Sequence, residues 1–80
     1  MLMISFDPVA KAMYVTLGKG RVKRTIEFAP ETFIDLDEKG DLLGIELLNP
    51  GTLILHKIAK KFHKPELNKI HTHPLQKVYQ

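Results

Sequence analysis

The sequence predicts an α+β domain in two layers, a four- to five-stranded antiparallel β-meander covered by one C-terminal amphipathic helix. Two observations carry this. Up to Pro50, short runs of alternating apolar and polar residues are separated by Gly, Pro and Asp turn signals. After Gly51 the apolar spacing changes from two to that of a helix, at Ile54, Leu55, Ile58, Ala59 and Phe62. A sheet with one apolar face and a helix with one apolar stripe can bury each other.

Met3 to Phe6 reads as a first strand, closed by Asp7-Pro8, because proline cannot continue a central strand. Val9 to Lys11 can make one helical turn. Met13, Val15 and Leu17 then alternate with Tyr14 and Thr16, and Gly18-Lys19-Gly20 reads as a hairpin turn. In the following strand Val22, Ile26 and Phe28 share one face. Arg24 falls on that apolar face, as an edge residue or as a buried ion-pair partner. Ala29-Pro30-Glu31 breaks the chain, and a second hairpin follows, with Ile34 and Leu36 before a turn at Asp37 to Gly40. Leu43, Ile45 and Leu47 lie on the return strand, and Asn49-Pro50-Gly51 ends it.

Thr52 is a suitable N-cap for the helix, with Gly51 and Asn49 as alternatives, and Pro65 stops it. The tail from Glu66 to Gln80 carries Ile70, Leu75, Val78 and Tyr79 at intervals. It reads as a docked arm, an arm exchanged with a neighbour, or a frayed end. Residues 1–50 and 51–80 are expected to form one domain.

Eighty residues set a low ceiling on the core, so a second copy would help. With 44% hydrophobic and 26% charged residues the chain reads as ordered. It has no cysteine, which removes disulfides, thiolate metal sites and cysteine nucleophiles, and fits a reducing cytoplasm. The first residues lack a basic segment and read as too short for a signal peptide, and no apolar run is long enough for a membrane span. The net charge is +3, and the excess is local. Residues 51–80 carry Lys57, Lys60, Lys61, Lys64, Lys69 and Lys77 against Glu66 alone.

The stretches "ISFDPVAKAMYVTL" and "RTIEFAPETFIDLDEKGDLLGIELLNP" resemble the YuzE-like family of small bacterial and archaeal proteins of unknown function. Ile4, Asp7, Ala12, Tyr14, Leu17, Thr25, Glu27, Asp35, Asp37, Gly40, Gly44, Ile45 and Glu46 match its pattern in order. The resemblance covers about residues 3–50 and leaves 52–80 outside it. Phe6 stands where the family commonly has tyrosine, and Lys11 where an acid is common. The resemblance implies a small β-rich domain with no assigned activity, in some genomes a companion of small toxin-like proteins.

Candidate chemistry is thin. Asp35, Asp37, Gly40 and Glu46 have the spacing of part of a calcium loop. Lys39, however, occupies a ligand position and the flanks read as strands, so a solvated turn fits better, with Gly44 a bulge or close-packing point. Asp35 and Asp37 lie about 7 Å apart on one strand face, with no pocket implied. His56 and His63 are about 10 Å apart along the helix axis, too far for one zinc ion with bonds of about 2 Å. His71 and His73 can point the same way in an extended "HTHP", and chelate a metal if His63, Glu66 or a second chain adds a ligand. Ser5 has no nucleophile-elbow surroundings, and Gly18-Lys19-Gly20-Arg21 lacks phosphate-loop spacing.

These observations favour a non-enzymatic, self-associating interaction module, a homodimer without a cofactor, with a small partner protein as a further expectation. Its contact residues would be Tyr14, Arg24, Ile70, Leu75, Val78 and Tyr79. The alternatives are nucleic-acid binding through Lys57, Lys60, Lys61 and Lys64, and a metal-dependent enzyme using His71 and His73.

Overall fold

In a computed structural model, residues 2–48 and 52–70 are described, and they form an α+β fold: a five-stranded antiparallel sheet followed by a helix. The strands are β1 (Met3–Asp7), β2 (Ala12–Thr16), β3 (Arg24–Ala29), β4 (Thr32–Leu36) and β5 (Leu42–Leu47). The helix is α1 (Thr52–Phe62), and a short 3-10 segment spans Pro65–Lys69. The chain divides into two compact units, Met1–Asn49 and Pro50–Gln80.

Within the first unit the strand order is β1-β2-β5-β4-β3. The period-two pattern is realised directly, since Val15 pairs with Ile45 and Ile45 with Ile34, all three completely buried. Met13, Leu36 and Leu47 extend the same apolar face. One expected connection differs. Gly18-Lys19-Gly20 is not a hairpin turn, because β2 pairs with β5 and β3 takes the far edge. Leu17 and Gly18 donate their N–H groups to the Leu43 carbonyl, and the chain rejoins the sheet where the Lys23 N–H donates to Leu36. The physical reason is burial. β2 hides Met13 and Val15 and takes an inner place, while exposed β3 can serve at the edge.

The turns follow their side chains. At the β1–β2 corner the Asp7 carboxylate accepts from the Val9 and Ala10 N–H groups at 3.0 and 3.2 Å, so Val9 to Lys11 closes a hairpin rather than a helical turn. In the β4–β5 turn Asp37 accepts from the Lys39 and Asp41 N–H groups at 2.9 Å each, and Gly40 takes φ 86°, where glycine has no steric penalty. Arg24, on β3, pairs with Leu36 of β4 and is exposed, so of its two expected settings the structure shows the edge.

In the second unit α1 buries Leu55, Ile58 and Ala59, while Lys57, Lys60 and Lys61 are exposed, the division its spacing predicts. It stops where His63 adopts φ 56° and the Lys64 N–H reaches back to the Ala59 carbonyl at 2.9 Å. Pro65 then opens the 3-10 segment. Among the described residues no helix is long and apolar enough to cross a membrane.

Candidate functional site

Alternation along the strands gives the sheet a second, polar face, and the structure gathers a polar cluster there. Tyr14, Thr25, Asp35 and Glu46 come from β2, β3, β4 and β5. Their Cα registers lie in two adjoining rows, Thr16–Gly44–Asp35–Thr25 and Tyr14–Glu46–Phe33. The Tyr14 hydroxyl donates to one carboxylate oxygen of Asp35. The Thr25 hydroxyl donates to the other at 2.5 Å. Strands two apart in a sheet lie about 9–10 Å from each other, so the tyrosine must cross β5 to reach β4. Gly44 lets it pass. A Cβ at that position would collide with the Tyr14 hydroxyl and sit 2.7 Å from its Cζ. The close-packing role expected of Gly44 is therefore filled by one ring.

Burial pushes the Tyr14 phenol up to about 12, helped by the hydrogen bond to Asp35 and by the negative charges of Asp35 and Glu46. Near neutral pH it is an uncharged donor, unsuited to act as a nucleophile or base. Because the folded value lies above the ordinary 10.0, its contribution to stability is complete below pH 10. That contribution is lost as the pH rises from 10 towards 12. An absorbance titration is expected to show a late tyrosine ionisation that disappears in Tyr14→Phe. An unchanged titration in that variant would contradict this account of the cluster.

Next to the tyrosine, an open recess is lined by Ser5, Asp7, Ala12, Tyr14, Glu46 and Leu48. Its hydroxyl and carboxylate groups offer hydrogen-bond acceptors between small apolar walls. Ser5 lies opposite Tyr14 across the β1–β2 ladder. Asp35 and Asp37 do not act together: Asp35 holds two hydroxyls, whereas Asp37 organises its own turn.

The other residues singled out by sequence are distributed as follows. Lys57, Lys60 and Lys61 are exposed on α1 and Lys64 is half-buried. His56 and His63, both exposed, line an open groove with Lys60, Pro65 and Asn68. Among the described residues no group of three or more His, Cys, Asp or Glu side chains is placed to hold a metal ion. His71, His73, Leu75, Val78 and Tyr79 lie outside the described residues. Ile70 is only 4% exposed.

The polar cluster was missed as a site because its members belong to four strands whose order the sequence does not state. A signal was nevertheless present: Tyr14, Thr25, Asp35, Gly44 and Glu46 all occupy polar-side positions in their own strands. No curated protein matches the chain, and no solved structure does. Residues 3–49, the segment that builds all five strands, match the family described as Protein of unknown function (DUF2283), and the chain belongs to that family.

Proposed function

We propose that this chain is a non-enzymatic protein-interaction module that associates with copies of itself in the cytoplasm. The observation that carries the reading is the open sheet. Its outer strands β1 and β3 have a neighbour on one side only among the described residues, and Met3, Ile4 and Ile26 are exposed on them, with Leu2 and Val22 exposed just before them. Unpaired strand edges with apolar side chains are templates for another chain. A core of this size also gains from added burial. The resemblance to YuzE-like proteins adds a small toxin-like companion as a further partner of the same module.

Sedimentation equilibrium across a wide dilution series tests this. The expected result is a mass above that of one chain that falls on dilution. A single-chain mass at every concentration would overturn the reading.

A second reading rests on the exposed row Lys57, Lys60 and Lys61. Phosphate neutralisation by these lysines would give binding that weakens steeply with salt. Its mark is nucleic acid retained in a low-salt purification and lost when the three lysines are changed to glutamate.

A further inference from the structure

The two edges of the sheet are not equivalent, and their difference points to one partner. From Leu2 to Phe6 the β1 edge carries no charge and no proline. The β3 edge carries Arg24 and Glu27, and its pairing register shifts between Glu27 and Ala29. Edge charges and irregularities are the devices by which natural sheets refuse a further strand. β3 has both, whereas the one charge of β1, Asp7, stands at its last position and accepts from the Val9 and Ala10 N–H groups of its own corner.

The hydrogen-bond directions along β1 follow from its neighbours. Leu17 donates to Leu43 across the β2–β5 side at 2.8 Å. In an antiparallel ladder alternate residues turn their N–H and C=O groups the same way. Met13 and Val15 therefore also face β5, and Tyr14 and Thr16 face β1, where they meet Ser5 and Met3. Ile4, between those two, turns its backbone groups towards the open edge. Its side chain is 50% exposed although it stands on the apolar face of the sheet, paired with Val15.

We infer that β1 is the self-association strand, and that it pairs antiparallel with β1 of a second copy across a two-fold axis at Ile4. This rests on the self-association proposed above and names the surface that performs it. The register centred on Ile4 sets the two Ile4 residues opposite each other, Leu2 beside the second copy's Phe6, and Met3 beside its Ser5. Every one of those neighbours is uncharged. The half-exposed isoleucine gains a partner on its apolar face, and two sheets become one of ten strands. The same patch serves both copies, so the contact closes as a dimer. Pairing β1 with β3 of the next copy would instead be head-to-tail and propagate, and the charges and bulge of β3 oppose it. The recess at Ser5, Asp7, Tyr14 and Glu46 borders β1, so the dimer brings its two recesses to one continuous polar face.

The sequence contains no cysteine, so a single introduced cysteine reports on one contact. Opposed hydrogen-bonded residues have Cα atoms about 5.5 Å apart, within the span a disulfide bridges. Under mild oxidation the full-length Ile4→Cys variant is expected to become a covalent dimer as its major species. Ile26→Cys, on the other edge, is expected to stay reduced at the same concentration. A chain that sediments as a dimer while Ile4→Cys fails to crosslink would overturn the β1 pairing and leave self-association standing. Efficient crosslinking through Ile26→Cys would likewise overturn it. A single-chain mass for the wild-type protein would remove both claims.

Discussion

Replacing Ile45 with alanine is expected to lower stability by about 2–5 kcal/mol, the range for truncating a fully buried isoleucine. Ile45 is the centre of the apolar face, between Val15 and Ile34, and none of the three has measurable exposure. Its side chain is held from both sides by strands that cannot close over a void without disturbing the ladders. Domains have total stabilities of about 5–15 kcal/mol, and one of this length sits low in that range. The substitution therefore removes a large fraction of what holds the fold. Urea unfolding checks this through a lowered midpoint with an unchanged slope. Ile45→Val should cost only about 0.5–1.5 kcal/mol. Equal midpoints for Ile45→Ala and the wild type would show that the row is not the core.

Gly44→Ala is the second large effect. A methyl group there meets the Tyr14 ring, which Asp35 holds in place through the hydroxyl, so the ring cannot simply swing aside. The expected cost is about 1–3 kcal/mol, as for other overpacked contacts. The cause is tested by a double-mutant cycle. In a Tyr14→Ala background the added cost of Gly44→Ala should shrink to near zero, because the colliding atoms are gone. Additive losses in the two variants would mean that Gly44 is needed for a reason other than the passage of the ring across β5.

These two residues also mark how far the sequence can be read. The burial of Ile45 follows from local alternation: Leu43, Ile45 and Leu47 lie on one side of a strand whatever its neighbours are. The helix was legible for the same reason, because Leu55, Ile58 and Ala59 recur at its period. The contact between Tyr14 and Asp35 is different in kind. It depends on β5 lying between β2 and β4, a long-range pairing that no local pattern encodes. Gly18 and Gly20 favoured a hairpin because glycine and sequence proximity both do. The second partner of β2, beside β1, lies some thirty residues further on, among residues 44–47. Gly44 was recognisable as a position requiring a missing side chain, but the ring that fills the space was not. For the histidine pair at 71 and 73 and the apolar residues at 75, 78 and 79, the described residues offer no comparison.

Light scattering at matched concentrations on the wild-type chain, an Ile4→Lys variant and an Ile26→Lys variant tests whether β1 joins two copies. Ile4 and Ile26 are similarly exposed, at 50% and 40%, so each accepts a lysine without losing a buried core contact. Pairing through β1 gives a dimer for the wild type and for Ile26→Lys, and a monomer that still melts cooperatively for Ile4→Lys. A wild-type protein that is monomeric at every concentration would contradict it.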